Sequence, residues 1–350
     1  MRTIKVNTKK TYGIYIDEDI INKVSSLLLS NGIDANKKAL VITDTNVEKL
    51  YLNEILETLI NAGFICNRYV INAGEEYKSL STVENILRYL ASNNYQKKDV
   101  LISLGGGVIG DITGLCASLY MRGVDYVQIP TTLLSAVDAS VGGKTAVDLP
   151  EGKNLVGTFY QPKFVLCDLD ILKRLPDNIY KEGLAEVIKY GIIKDSIILD
   201  LINNEKNNLE EIVFRCLSIK SNIVSDDEND NGIRKILNYG HTFAHALEKC
   251  SNYSISHGKA VAEGLLFETK LSANMNKCTR EYFHYIENII HSNFKMNNIY
   301  SMHQIIEAMK NDKKNVSNKI SFVLVDGNNN SMIEEIEETI IERTYKEIYG

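Results

Sequence analysis

The sequence lacks several features that would assign the chain to a membrane or secreted class. No run of 18 apolar residues occurs, so the chain offers no transmembrane span. The amino terminus, MRTIKVNTKK, carries charge but no apolar segment follows it, which argues against secretion. No CxxC pair is present, and the six cysteines are scattered at Cys66, Cys116, Cys167, Cys216, Cys250 and Cys278. These absences predict a cytoplasmic protein with free thiols that mostly serve packing.

An excess of basic charge is also missing. The chain has 39 basic and 45 acidic side chains, a formal net charge of −6. Nucleic acids and anionic membrane surfaces normally select a basic face, so we expect neither as a partner. The 350 residues, 44% hydrophobic and 24% charged, are typical of a soluble globular chain. At roughly 150 residues per domain, that length suggests two domains.

The first half of the chain alternates strand and helix patterns. Five short apolar runs rich in β-branched residues predict strands: KKALVITD, FICNRYVI, DVLISL, VDYVQIP and KFVLCDL. Helical patterns such as NVEKLYLNEILETLINAG lie between them, which indicates βαβ units and a mostly parallel sheet. After about Arg174 helical spacing dominates, with one late strand, KISFVLVDG, and a carboxyl-terminal helix, MIEEIEETIIERTYKEIY. We therefore expect an α/β domain over 1–173 and a mainly α-helical domain over 174–350.

A glycine-rich turn directly follows the predicted strand DVLISL. Gly105, Gly107 and Gly110 satisfy G-x-G-x-x-G, a pattern that brings the backbone and a helix N-terminus close to a pyrophosphate. An ordinary glycine-rich turn would give the same isolated match. The usual fingerprint follows the first strand, whereas this one follows the third, so the acid that binds the ribose must lie elsewhere. Asp44, at the end of the first predicted strand, is the candidate, and the domain is expected to be Rossmann-like.

The second half contains residues typical of a metal site. Asn238, His241 and His245 are spaced to share one helix face, and His257 follows at a predicted helix start. Glu186 stands in an apolar helical stretch, where an unpaired carboxylate would be costly to bury. Two imidazoles and a carboxylate are a common catalytic zinc set, although a pair of core histidines would give the same spacing. Spacing does not decide which two histidines coordinate.

Several cations lie in apolar or glycine-rich contexts. They are Arg122, Lys144, Lys153, Lys189, Lys220 and Arg234. A single such lysine usually buries only its aliphatic stem. Six of them beside nucleotide and metal motifs predict a cage for a small anionic substrate, because fixed cations bind phosphate or carboxylate and stabilise developing negative charge.

Long stretches of the chain resemble the 3-dehydroquinate synthase family of sugar-phosphate cyclases. These are GEEYKSL, GGGVIGDITGLCASLYMRGVDYVQIPTTLLSAVDASVGGKTAVD, GKNLVGTFYQP, GLAEVIKYG, KSNIVSDDE, LNYGHTFAHALE, HGKAVAEG and the DKK at 312–314. The resemblance implies a dehydroquinate synthase-like fold and a two-domain, homodimeric enzyme of the shikimate pathway. Such an enzyme uses NAD and a divalent metal, Zn²⁺ or Co²⁺. It converts 3-deoxy-D-arabino-heptulosonate 7-phosphate to 3-dehydroquinate and phosphate.

The resemblance also implies roles for individual residues. The implied metal ligands are Glu186, His241 and His257. The implied NAD-binding residues are Asp44, Glu75, Lys78, Gly105, Gly106, Gly107, Val108, Ile109, Gly110, Asp111, Thr131, Thr132, Lys144 and Lys153. The implied catalytic residues are Asp138, Lys144, Lys189, Lys220, Asn238 and His245. The implied substrate-binding residues are Arg122, Asn154, Arg234 and one of Lys313 and Lys314. Asp230 replaces the glutamate usual in the family.

Three alternatives remain from the sequence. Another sugar-phosphate cyclase, of the inosose or valiolone type, shares the NAD and metal motifs, but Arg234, Asn238 and His245 favour a substrate that carries a carboxylate. A metal-dependent polyol dehydrogenase of the glycerol dehydrogenase type would release NADH in proportion to its product. A catalytically inactive nucleotide-binding regulator would lack a metal ligand, and none is missing.

Overall fold

The chain divides into two compact units. A computed structural model describes residues 1–295, 300–312 and 319–350. The first unit comprises Met1–Pro176 and Leu209–Asn229, and the second comprises Asp177–Asn208 and Asp230–Gly350. Within the described residues, no helix is both long and apolar enough to cross a membrane.

The segment Leu209–Asn229 distinguishes these units from the domains 1–173 and 174–350 that the sequence predicts. Most of it belongs to the long helix α8 (Glu205–Asp226). Glu211 accepts a 2.7 Å bond from Arg2, and Ser225 accepts a 3.0 Å bond from the backbone N–H of Asn7. The segment thus packs on the amino-terminal strand of the first unit. Apolar periodicity identifies a helix but does not identify what the helix packs against.

The first unit is built on one seven-stranded sheet. Its strands are β1 (Arg2–Val6), β2 (Tyr12–Asp17), β3 (Lys38–Asp44), β4 (Ile65–Ile71), β5 (Val100–Gly105), β6 (Asp125–Pro130) and β9 (Phe164–Asp168). Their spatial order is β1-β2-β9-β6-β5-β3-β4, and every pairing except β1 with β2 is parallel. The five predicted strands correspond to β3, β4, β5, β6 and β9. The predicted α/β fold with a mostly parallel sheet is therefore confirmed.

Helices cover both faces of this sheet. They are α1 (Val24–Ser30), α2 (Asn53–Asn61), α3 (Leu80–Ser92), α4 (Gly107–Leu119) and α5 (Leu169–Lys173). Val41 packs in one apolar core with α1 and α2, while its neighbours Leu40 and Ile42 pack in another with α3 and α4. Successive strand residues point to opposite faces, so a strand covered on both sides is apolar throughout, as β3 and β5 are.

A hairpin and a change of direction complete the first unit. Strands β7 (Lys144–Leu149) and β8 (Gly152–Phe159) pair antiparallel outside the main sheet.

From β3 the chain adds β4 on one side and then returns to add β5 on the other. In open parallel sheets, ligands bind at the carboxyl ends of the strands where the order reverses in this way. The ends of β3 and β5 are therefore the expected nucleotide position.

The second unit is mainly helical. Its elements are α6 (Asp177–Ile193), α7 (Ile197–Leu201), the first residues of α8, α9 (His241–Cys250), α10 (His257–Asn274), α11 (Arg280–Asn293), α12 (Met302–Asp312), β10 (Lys319–Val325), β11 (Ser331–Glu337) and α13 (Glu338–Tyr349). Helix α6 is buried without a break from Gly183 to Ile193, which makes it a central helix. The predicted helical character of this part of the chain is confirmed.

The carboxyl-terminal helix that the sequence predicts begins later than expected. Residues Ser331–Glu337 form β11, which pairs antiparallel with β10, and α13 begins only at Glu338. The stretch is rich in glutamate and isoleucine, so its local pattern favours a helix, but pairing with β10 overrides that preference. Strands β1, β2, β7 and β8 are the others that the sequence reading does not identify.

Candidate active site

The glycine-rich turn lies between β5 and α4 of the first unit. Helix α4 begins at Gly107, and its N-cap Gly106 offers no side chain to the free N–H groups. A Cβ atom on Gly110 would come 2.9 Å from the Gln128 side chain of β6, so glycine here allows the helix to lie close to the sheet. The turn therefore presents unobstructed backbone donors at a helix N-terminus, which is a suitable position for a phosphate.

Two other residues predicted to hold NAD, Thr131 and Asp44, lie at the same edge of the sheet. The backbone N–H of Thr131, just after β6, donates a 3.0 Å bond to the carbonyl of Gly105. Asp44 ends β3, and its Oδ1 accepts bonds from the backbone of Asn46 and Val47, which fixes the turn that follows. The carboxyl ends of β3, β5 and β6 are adjacent because these strands are parallel neighbours.

Lys78 links three parts of the first unit. Its Nζ lies 2.7 Å from Asp111 Oδ2 in α4 and 2.6 Å from Asn154 Oδ1 in β8. Burial raises the pKa of the Asp111 carboxyl to about 6, although Lys78 acts in the opposite direction. Burial alone would lower the pKa of Lys78, but Asp111 raises it, so this lysine stays charged. Sequence alone gives no reason to place these three side chains in contact.

A candidate metal cluster lies in the second unit. Glu186 of α6, His241 at the start of α9 and His257 at the start of α10 each offer one ligand atom, and these atoms all lie within 4.8 Å of one another. Glu186 Oε1 is 3.3 Å from His241 Nε2 and 3.4 Å from His257 Nε2. Two atoms bound at about 2.0–2.2 Å to one tetrahedral zinc would be about 3.3–3.6 Å apart. Charge-assisted hydrogen bonds are shorter, about 2.7–2.9 Å, so the separations fit a shared cation better.

The outer nitrogens of the two imidazoles support this interpretation. His241 Nδ1 lies 3.1 Å from the carbonyl oxygen of Tyr239, and His257 Nδ1 lies 3.4 Å from Glu248 Oε1. Both neighbours are acceptors, so each Nδ1 can donate a hydrogen bond and leave its Nε2 available to coordinate an ion. The residues present therefore fit a divalent ion held by two imidazoles and one carboxylate.

Close helix packing brings the three ligands together. A Cβ atom on Gly258 would come 2.6 Å from the Cα of Glu182, and one on Gly264 would overlap the carbonyl oxygen of Gly240. Glu182 Oε2 accepts a 2.7 Å bond from the N–H of Gly258, the residue after His257. The missing side chains thus allow α10 to approach α6 and the turn before α9.

The charges of the cluster are coupled. Burial would raise the pKa of Glu186, but Lys189 and His241 hold it well below its usual value. Burial lowers the pKa of His241. Burial also disfavours charge on His257, but Glu186 and Glu248 outweigh it and raise the pKa to about 10. An ion that binds here must displace the His257 proton, as metal uptake by imidazole generally requires.

The six cations of the predicted anion cage differ in burial. Lys189, Lys220 and Arg234 are buried, at 1%, 5% and 3% exposure, whereas Lys153 is half-buried and Arg122 and Lys144 are exposed. Lys189 forms an ion pair with Glu186, and Lys220 lies 2.9 Å from Asp138 Oδ2 in the first unit. The buried lysines are therefore held by carboxylates.

The remaining predicted residues are partly brought together. The ring of His245 lies 5.6 Å from that of His241. Asn238 and Asp230 line a cavity of about 420 Å³ in the second unit, together with Thr242 and residues of β10 and β11. Lys313 and Lys314 lie outside the described residues.

Sequence reasoning does not identify three carboxylates beside the cluster. They are Glu182, Glu248 and Glu268. Oε2 of Glu268 accepts a 2.8 Å bond from the N–H of Gly240. Glu182 precedes Glu186 by one helical turn, and Glu248 follows His241 by about two turns, so helical spacing alone could have indicated both. Glu268 has no such signal.

Two family profiles and the similar sequences indicate the same family. The 3-dehydroquinate synthase N-terminal family profile matches residues 68–182, and the C-terminal profile matches residues 183–315. A 3-dehydroquinate synthase from Alkaliphilus metalliredigens is 43% identical over 333 residues, covering 92% of each chain. One from Clostridium kluyveri is 40% identical over 336 residues, covering 93% of each chain.

A solved structure has the same fold at lower identity. It is a 2-deoxy-scyllo-inosose synthase complexed with carbaglucose-6-phosphate, NAD⁺ and Co²⁺. The TM-score is 0.89 at 24% identity, over 99% of this chain and 100% of the other. At this level of identity, the similarity shows that the two chains share a fold.

Proposed function

This chain belongs to the 3-dehydroquinate synthase family, and we propose that it converts 3-deoxy-D-arabino-heptulosonate 7-phosphate to 3-dehydroquinate and phosphate. It is an enzyme, a carbon–oxygen lyase that eliminates phosphate. The reaction comprises oxidation of the C5 hydroxyl, β-elimination of phosphate, reduction at C5, ring opening and an intramolecular aldol step. These steps belong to the shikimate pathway of aromatic amino acid biosynthesis.

The observation that carries the proposal is the cluster of Glu186, His241 and His257. Two imidazole nitrogens and a carboxylate oxygen converge within 4.8 Å, with acceptors behind both rings. We propose that these residues hold Zn²⁺ or Co²⁺ and that the glycine-rich turn holds NAD. When bound, NAD takes up and returns a hydride, and the divalent ion acidifies the substrate hydroxyl.

The chain's own residues then have defined tasks. Lys189, charged and buried beside Glu186, stabilises negative charge that develops on the substrate. Lys220 and Arg234 bind the substrate's anionic groups, and burial strengthens their electrostatic effect. The leaving phosphate can itself accept the C6 proton once C5 is oxidised, so a dedicated protein base is not required. Arg122, Asp138, Lys144, Asn154, Asn238 and His245 are proposed to complete the substrate contacts, with one of Lys313 and Lys314.

On the cofactor side, the turn from Gly105 to Asp111 binds the pyrophosphate through backbone N–H groups. Asp44 is proposed to bind the adenosine ribose, since it ends the strand beside β5 at the point where strand order reverses. The remaining contacts are assigned to Glu75, Lys78, Thr131, Thr132, Lys144 and Lys153. The observed Lys78–Asp111 pair supports a role for Lys78 in holding the start of α4.

We also propose a cytoplasmic homodimer that binds neither nucleic acid nor membrane. The family resemblance supports the dimer, and the acidic net charge of −6 disfavours polyanionic partners. Light scattering on the purified chain tests the dimer, for which we expect a mass about twice 39.4 kDa.

A substrate panel tests the proposed reaction against the other cyclases. The purified protein is incubated with NAD⁺ and Co²⁺, and phosphate is measured with either the heptulosonate phosphate or a hexose 6-phosphate that has no carboxylate. We expect rapid release from the first alone, because Arg234 and its neighbours suit a carboxylate. Release from the hexose phosphate alone would instead assign the chain to the inosose-type cyclases.

A further inference from the structure

Glu248 is a buried carboxylate that contacts a proposed metal ligand of another helix. It lies near the end of α9, seven residues after His241, and is 4% exposed. Its Oε1 is 3.4 Å from Nδ1 of His257, the first residue of α10. Helix α9 therefore carries the proposed ligand His241 and, through Glu248, also contacts Nδ1 of the other imidazole ligand, His257.

The two imidazoles have different kinds of acceptor behind them. His241 Nδ1 faces the neutral carbonyl of Tyr239, which belongs to its own turn. His257 Nδ1 faces a carboxylate supplied from a different element. A carboxylate behind an imidazole fixes the ring's tautomer and orientation and increases the basicity of the other nitrogen, which binds the metal.

We propose that Glu248 is a positioning residue that holds His257 with Nε2 directed at the metal and so strengthens metal binding. The proposal rests on the proposed metal site of Glu186, His241 and His257 and adds a residue that contacts neither ion nor substrate.

The turn that follows α9 is held by the backbone of Glu248. The turn after α9 is closed by bonds to the carbonyl oxygen of Glu248, 2.7 Å from the N–H of Tyr253 and 2.8 Å from Ser251 Oγ. Substitution of the side chain leaves these bonds in place. A variant at this position is therefore expected to fold.

The chain offers a matched control on α10. Glu263 is also buried, at 3% exposure, and its Oε2 accepts a 2.6 Å bond from Tyr349 Oη. Glu263→Gln tests the general effect of neutralising a buried carboxylate in this unit. Glu248→Gln keeps the shape and removes the charge, while Glu248→Ala removes the contact altogether.

The experiment measures Co²⁺ binding to metal-free wild type and to the three variants. Dissociation constants come from competition with a chromophoric chelator, the visible absorption of bound Co²⁺ reports its coordination, and thermal unfolding of the metal-free proteins reports folding. We expect Glu248→Ala to weaken Co²⁺ binding about 10- to 100-fold and to change the spectrum. We expect Glu248→Gln to show a smaller loss and Glu263→Gln to match wild type.

Two results would overturn the proposal while leaving the metal site intact. One is wild-type affinity and spectrum in Glu248→Ala, and the other is an equal loss in Glu263→Gln, which would indicate a general packing effect. Failure of the wild-type chain to bind one Co²⁺ would instead overturn the metal site itself, and this proposal with it.

Discussion

At the scale of single residues, the buried pair of Lys189 and Glu186 has the sharpest consequence for catalysis. The lysine is 1% exposed and lies one helical turn from a proposed metal ligand. A charged group held in a dry environment stabilises developing negative charge far more than it could in water. Its contribution should therefore appear in turnover.

We expect Lys189→Ala to lower kcat about 100-fold or more while leaving the NAD⁺ dissociation constant within a few-fold of wild type. Lys189 is not among the residues proposed to hold NAD, so we expect the cofactor to keep its proposed contacts. Steady-state kinetics and NAD⁺ titration measure the two quantities. Lys270→Ala is the control. Lys270 Nζ lies 3.1 Å from Glu347 Oε2 and is not part of the metal cluster. Near-normal turnover with weakened NAD⁺ binding would show the assignment to be wrong.

A second residue gives a pH-dependent prediction for stability. Burial raises the pKa of Asp111 from 3.8 to about 6 in the folded chain. Between these values the folded state holds a proton that the unfolded state has released, so the contribution of Asp111 to the free energy of unfolding falls as pH rises from about 4 to about 6. The loss is up to about 3 kcal/mol. Asp111→Asn removes this titration.

Denaturant unfolding of wild type and Asp111→Asn at pH 4, 5, 6 and 7 checks the prediction. The stability of the variant relative to wild type should increase across this range and level off above pH 6. A difference that does not change with pH would mean that Lys78 fully compensates for the buried charge.

The residue types of the site could be predicted from sequence better than their contacts. Residue type and spacing single out Glu186 and a group of histidines, because a carboxylate in an apolar helix and clustered histidines are unusual, but only the family resemblance implies His241 and His257 as the ligands. The acceptors behind the rings are not recognisable in the same way. Glu248 looks like an ordinary helical glutamate, and the Tyr239 carbonyl is invisible to any residue pattern. The packing of α9 against α10 gives Glu248 its role, and the turn before α9 gives the Tyr239 carbonyl its role.

At the scale of elements, the approach of α10 to its neighbours determines whether a metal site forms. Gly264 has no room for a methyl group because the carbonyl of Gly240 lies against it, and Gly240 precedes His241. Where a helix position has room for a side chain, replacing glycine with alanine stabilises the folded protein by about 0.4–1 kcal/mol. At Gly264 we expect the opposite effect, a loss of stability on substitution by alanine.

We expect Gly264→Ala to lower the free energy of unfolding by about 1–3 kcal/mol, as overpacking of a core does, and to weaken Co²⁺ binding by displacing His241. Gly107→Ala is the stability control, since a Cβ there meets only Ala139 Cβ at an ordinary 3.7 Å. Denaturant unfolding and metal titration measure both effects. Gly264→Ala with unchanged stability would mean that the two helices can separate without cost.

Elements differ in how far the sequence predicts them. Strands β3, β5, β6 and β9 are covered on both faces, so they form continuous apolar runs that stand out. Strands β8 and β11 are largely exposed or half-buried, and their polar residues conceal them. Their pairing depends on a distant partner strand, which local periodicity does not report.

At the scale of the whole molecule, the net charge describes the surface and not the site. An overall net charge of −6 suggests a protein that repels anions, yet the proposed substrate is an anion. Lys189, Lys220 and Arg234 are buried, so their field acts locally whatever the total charge is.

The thiols provide a test of the whole fold. All six cysteines are free, four of them buried and two, Cys66 and Cys250, half-buried. Burial raises the pKa of Cys167 to about 12 and that of Cys66 to about 11, which suppresses the reactive thiolate at neutral pH. We expect six titratable thiols in denaturant without reductant, and slow reaction in the native protein that begins at Cys250 and Cys66. Fewer than six would reveal a disulfide.

The proposed reaction eliminates phosphate while NAD is restored in every turnover. The most direct test is to follow phosphate and NADH together in one reaction of the pure protein with the heptulosonate phosphate, NAD⁺ and Zn²⁺ or Co²⁺. We expect many equivalents of phosphate per enzyme and no net NADH. NADH formed in proportion to product would make the chain a polyol dehydrogenase, and the absence of both products would contradict an enzymatic role altogether.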